Sequence, residues 1–127
     1  MEQTFTVGSE AVIEAPAPTG PYMVVFEDDG DTGYFYAVDT SRDHDDQVLD
    51  ATAIYNVEAV TDRHKPATFT IRWAAGTDRA ALFVNGHAHA VFDFASRRGY
   101  SRLNFPATSR WSTQGHAWDE QALTGIE

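Results

Sequence analysis

The sequence predicts an all-β, mainly antiparallel domain, a β-sandwich of eight or nine short strands with little helix. Three observations lead there. Apolar residues recur with period two along most of the chain, as half-buried strands require. Turn signals such as DDG, GTD and NG separate those runs at short intervals. Helical patterning is weak and confined to two stretches, 46–52 and 118–124. The chain's 127 residues and 14.0 kDa fit one domain, 1–127. A domain of that size buries ~67% of its unfolded surface, enough for a core of its own.

The elements follow in order. Residues 11–14 and 22–28 are short β-type runs, joined by EAPAPTGP, whose prolines keep the connection stiff and extended. Residues 34–39 form the next run and contain the aromatic triplet YFY. Between the last two lies DDGDTG. Asp29-Gly30 predicts a type I′ hairpin turn, and Thr32-Gly33 an extension or bulge. Residues 53–60 read as a strand, because Ile54, Tyr55, Val57 and Val60 suit a pleated surface. Leu49, Ala53, Val57 and Val60 also fit a helical stripe, and 46–52 reads as a helical turn. ATFTIRWA (67–74) alternates again and puts Phe69, Ile71 and Trp73 on one side. AALFVNGHAHAVFDF is a second hairpin with Asn85-Gly86 at its tip. Residues 98–105 make a final strand, stopped by Pro106. Tyr34, Phe35, Tyr36, Trp73, Phe83, Phe92 and Phe94 read as core aromatics.

Net charge is −10. That balance argues against nucleic acid and against an anionic membrane surface, and it would steer a basic protein partner. Residues 1–62 hold 14 acids against one base, Arg42, and the remainder is net basic. The absence of cysteine excludes disulfides and thiolate metal sites. The N-terminal stretch lacks a secretory pattern, and no run approaches the ~20 apolar residues of a membrane span. A cytoplasmic protein is the expectation.

At VVFEDDGDTGYFYAVD, AIYNVEAV, ALFVNGHAHAVFDF and RRGYSRLNFP the chain resembles a family of small uncharacterised bacterial proteins, known only as a domain of unknown function. The resemblance covers most of residues 4–111 and implies a single-domain bacterial protein. It brings no reaction, cofactor or catalytic residue.

Three constellations stand out. Glu27, Asp28, Asp29 and Asp31 form an acidic knot at the first hairpin tip. The spacing fails the EF-hand pattern from either Asp28 or Asp29, so the knot reads first as a solvated tip, with a weak cation site or a docking surface for a basic partner as the alternatives. His87 and His89 lie two residues apart on a strand, a spacing with which two imidazoles bind one transition metal. Asp93 is ~13 Å further along, so a third ligand would come from Asp62, His64, His116 or Asp119. Arg98, Tyr100 and Arg102, with Arg97 and Asn104 beside them, form a guanidinium pair around a tyrosine that suits a carboxylate or phosphate, or an ion-pair ladder with acidic strands. Nucleophile elbows, phosphate-binding glycine loops and zinc-protease motifs are absent from the sequence.

These features lead first to a non-enzymatic acidic binding module that needs no cofactor and recognises a protein partner, in the manner of an immunity or inhibitor protein. A metal-dependent enzyme or small-ligand binder using His87 and His89, holding a divalent transition metal, is the alternative. A homo-oligomeric structural protein joined through a strand edge or aromatic face is the third reading.

Overall fold

The computed structural model describes residues 1–126. Nine strands are seen among them: β1 (Glu2–Thr6), β2 (Ala11–Pro16), β3 (Tyr22–Asp28), β4 (Thr32–Asp39), β5 (Val48–Asn56), β6 (Pro66–Trp73), β7 (Arg79–Val84), β8 (His87–Asp93) and β9 (Arg98–Ser101). They form a five-stranded sheet, β1-β6-β7-β8-β9, and a four-stranded sheet, β2-β3-β4-β5. Every pairing is antiparallel. The all-β sandwich expected from the alternation is what the chain adopts.

Alternation decides which face of each strand is buried. Ile13, Ala15, Val24, Phe26, Phe35, Ala37 and Ile54 of the four-stranded sheet meet Phe69, Ile71, Ala80, Leu82, Ala90 and Phe92 of the other. Phe26 and Phe69 stack with centroids 4.8 Å apart, and Phe35 and Phe92 at 5.2 Å. Each such ring removes on the order of 150–250 Å² from water, so these contacts dominate the stability of the sandwich.

Several element boundaries differ from the sequence reading. β1, with its single core-directed aromatic Phe5, is too short for periodicity to reveal. Residues 48–52 are strand, and the helical turn precedes them at His44–Asp46. Asp50 and Thr52 are polar yet buried, which disguised the start of β5. Residues 57–59 are a 3₁₀ turn, and β9 ends at Ser101, short of 105. The second hairpin has the expected tip: Asn85 and Gly86 both take positive φ, 51° and 78°. The first does not. Only Gly30 is left-handed there, and the Asp29 carboxylate accepts from the amides of Asp31 and Thr32, an Asx-type loop in place of a type I′ turn.

The chain after β9 covers one edge of each sheet. Phe105 accepts a bond from the Ala53 amide at 3.0 Å and another from the Thr52 hydroxyl at 2.8 Å, and His116 accepts from the Ser101 amide at 2.9 Å. The edge strands β5 and β9 are thereby blunted. A short 3₁₀ turn, Glu120–Leu123, fulfils the expected helical turn at 118–124. It carries Ala122 and Leu123, with Ile126, onto the outer face of the five-stranded sheet, where Ala81, Phe83, Ala88 and Val91 receive them.

Candidate functional site

Among the described residues no such segment packs across the outer face of the four-stranded sheet. Cross-strand register places its residues in three rows: Val12, Glu27, Tyr34 and Ala53; Glu14, Val25, Tyr36 and Ala51; Pro16, Met23, Val38 and Val48. Ten of those twelve side chains lack a formal charge. Val12 and Val48 remain 53% and 58% exposed. Tyr34 and Tyr36 are half-buried with ring centroids 6.0 Å apart, and the Tyr36 hydroxyl donates to Glu27 at 2.9 Å. Burial and the neighbouring Glu27 push that phenol above its ordinary range, so it stays a neutral donor. The two tyrosines expected in the core are therefore outward, and only Phe35 of the YFY triplet is interior.

Charge surrounds this face. Residues 8–60, which supply all four strands and their connections, carry twelve acids and one base, Arg42. The uneven charge of the sequence halves thus becomes an uneven charge of the two sheets, with only β1 crossing from the acidic half to the other sheet. Glu10, Glu14, Asp29, Asp31, Asp43, Asp45, Asp46 and Glu58 are exposed around it, beside the partly buried Glu27.

The acidic knot divides on inspection. Asp31 is exposed at the tip and Asp29 shapes the loop, its pKa lowered by the amides of Thr32 and Asp31. Glu27 belongs to the outer face. Asp28 is not solvated: it is 1% exposed and accepts from the Gly8 amide at 2.6 Å, the Tyr55 hydroxyl at 2.6 Å and the Gly30 amide at 2.9 Å. Those bonds tie the β1–β2 turn, the hairpin and β5 together. Gly33 is required here, since a Cβ would lie 2.7 Å from Tyr55 Cζ. Alternation explains the split, because Asp28 points inward and Glu27 outward.

The histidine pair sits on β8, where Leu82 faces Ala90 and Phe83 faces Ala88, so His89 is the extra residue of a bulge. The rings are 5.9 Å apart and edge to face. Burial, His87 and Arg102 lower the His89 pKa to about 4. Among the described residues no group of three His, Cys, Asp or Glu side chains is placed to hold a metal. His116, one of the expected third ligands, is elsewhere and fully buried, with Nε2 2.7 Å from Asp50 Oδ2 and Nδ1 2.5 Å from the Pro106 carbonyl.

Arg98, Tyr100 and Arg102 do not act as one clamp. Arg98 Cζ lies 5.0 Å over Tyr100, whereas Arg102 stacks 4.1 Å over Trp118, donates to the Ala88 carbonyl at 2.9 Å and pairs with Glu120 at 3.3 Å. Arg102 fastens the C-terminal segment, and Tyr100 packs in that same cluster. Among the described residues Arg98 has no acid within 4.0 Å, and Arg102 pairs with Glu120 of the C-terminal turn in place of an acidic strand.

A model of a family described as uncharacterised proteins conserved in bacteria, DUF2251, matches residues 5–127. The chain belongs to that family. An uncharacterised protein of Haemophilus influenzae is 37% identical over 103 residues, covering 81% of this chain and 61% of the relative. The chain thus spans about three fifths of that relative's length. No solved structure matches. Among the described residues no helix is long and apolar enough to cross a membrane.

Proposed function

We propose that the chain is a non-enzymatic binding module that presents the outer face of β2–β5 to a basic protein partner. The observation that carries this reading is a single one: a sheet face of valines, a methionine and two tyrosines, on which Val38 and Ala53 alone are buried, lies open among exposed acids. Tyrosine and methionine are favoured at the buried centre of interfaces, and charge belongs to the rim. Four strands at ~4.8 Å and six residues at ~3.3 Å span roughly 400 Å² in plan. The rim brings that within reach of the ~800 Å² per partner of a standard interface. The same acids repel a second copy of this face, which favours a partner of opposite charge over self-association.

The test is affinity capture from extract of the native host, followed by identification and titration of the retained protein. The wild-type chain should retain a basic protein, and Tyr34→Ser/Tyr36→Ser should bind it about tenfold or more weakly with its unfolding midpoint little changed. Equal retention by the variant, or a partner that is acidic and insensitive to salt, refutes the assignment to this face. Sedimentation of the isolated chain as a stable oligomer would favour a structural role.

A further inference from the structure

Away from that face, at the β8–β9 end of the sandwich, a cleft of about 250 Å³ is lined by Arg97, Arg98, Arg110, Trp111, Thr113 and Gln114, with Ser96 at its edge. Three of the nine basic side chains of a −10 protein converge there, and among the described residues no carboxylate lines the cleft. Among the described residues none of the three arginines is within 4.0 Å of an acid, the salt bridges being Arg102–Glu120 and His116–Asp50. Asp93, opposite Arg98 in register, turns its Oδ1 to the amides of Ala95 and Ser96. Asp39 lies with Arg42 in the adjoining hollow, on the far side of Arg97 and Trp111.

The walls are fixed. Trp111 is 7% exposed and meets Phe92 and Phe94 edge to face at 5.9 and 5.7 Å, so one side of the cleft is anchored in the core. Arg98 is held over Tyr100 and donates from Nη1 to Gln114 Oε1 at 3.3 Å, while its buried Nε has no acceptor. A buried charged donor without a partner is unusual in a native structure and calls for one. Arg97 occupies the left-handed region, φ 55°, which costs a residue with a Cβ. Strain of that kind clusters where a side chain has to be aimed.

We propose that this cleft binds a small oxyanion, with the Arg97, Arg98 and Arg110 guanidiniums as the cationic cradle and Thr113 and Gln114 as neutral partners. Guanidinium forks match phosphate and carboxylate oxygens in pairs. The volume admits a compact di- or trianion. Three like charges, none ion-paired with an acid among the described residues, also repel one another, and a bound anion removes that repulsion.

Calorimetric titration of the full chain with pyrophosphate and with citrate, at matched ionic strength against a sodium chloride blank, tests this. Saturable binding at one site per chain is expected, weakened about tenfold or more in Arg97→Gly and Arg110→Gln and unchanged in the remote Arg63→Gln. Glycine suits the backbone of residue 97, so Arg97→Gly removes the guanidinium without added strain. In ¹H–¹⁵N spectra the Trp111 indole resonance should move on titration and that of Trp118 should not. Tighter pyrophosphate identifies a phosphoryl ligand, and tighter citrate a carboxylate one. No saturable heat with either anion, or equal affinity in Arg97→Gly and wild type, overturns the proposal.

Discussion

Over the five-stranded sheet, Ala81, Phe83, Ala88 and Val91 meet Ala122, Leu123 and Ile126; over the four-stranded sheet, Val12 and Val48 stand more than half exposed beside Tyr34 and Tyr36. Both faces come from the same pleated alternation, yet only one has been given a lid from its own chain. That lid is fastened by specific contacts. Arg79 donates to the carbonyls of Ala122 and Thr124 at 2.9 and 2.6 Å, and Arg102 stacks on Trp118. Arg79 and Arg102 therefore serve inside their own sheet's cover, and the exposed acids of the first half are left for solvent or a partner. A substitution on the covered face changes folding. One on the bare face separates binding from folding.

The largest expected effect lies where the lid begins. His116 and Asp50 are both buried, 2.7 Å apart, with Gly99 packed so closely that a Cβ there would lie 2.8 Å from the imidazole. The Pro106 carbonyl can only accept, so Nδ1 carries a proton, and one further proton is shared between Nε2 and the carboxylate. His116→Leu strands the Asp50 carboxylate and should cost about 3–5 kcal/mol in urea unfolding. Asp50→Ala combined with His116→Leu should cost less than His116→Leu alone, because no buried charge is then unpaired. If the double variant is the worse of the two, the pair is not the latch described.

The strand alternation made this sandwich legible, because each inner face is a nearly unbroken apolar series and the one strong two-residue turn, Asn85-Gly86, declares itself. The same signal failed where polar groups turn inward. Asp28, Asp50 and Thr52 look like loop or surface residues until Tyr55, His116 and the Phe105 carbonyl are brought to them from 27 or more positions away. Tyr34 and Tyr36 alternate with Phe35, and the pattern alone could have placed the phenylalanine in and the tyrosines out, since a phenol prefers a wet end. The arginine cleft was half visible: Arg97 and Arg98 are adjacent, whereas Arg110 joins them through a loop that has no period. Nothing local distinguished the lidded sheet from the bare one, because the lid is a weakly patterned segment whose apolar residues are few.

An intermediate effect is expected from pH at the mouth between the two sheets. His89, its pKa lowered to about 4, lines a hollow with Val7, Tyr55, Val60, Asp62 and Lys65. Its unfolded counterpart titrates near 6.5. Above that value the ring is neutral in both states and folding is not opposed. As pH falls below it the unfolded chain takes up a proton that the folded chain refuses, so stability declines toward about 4. Carboxylates, which titrate near ~4, contribute little in the upper part of that window. Urea midpoints should therefore fall between ~pH 6.5 and ~5 in the wild type. They should hold nearly level over the same range in His89→Gln, and an undiminished slope would assign the effect to another group.

The smallest effect is the most informative about the bare face. Asp31 is exposed at the β3–β4 tip, and it is its backbone carbonyl that is engaged, by the Val57 amide at 2.9 Å. Asp31→Asn leaves that bond intact and should change stability by no more than ~0.5 kcal/mol. Removing a rim charge acts on encounter more than on the final complex. With the basic partner in hand, the variant should associate more slowly at low salt, dissociate at the wild-type rate, and lose part of the salt dependence of association. A matched Arg110→Gln change, in the cleft at the β8–β9 end of the other sheet, should leave association unaltered. If Asp31→Asn slows dissociation or leaves association untouched, the acidic tip lies outside the interface, and the aromatic rows behind it alone carry the binding.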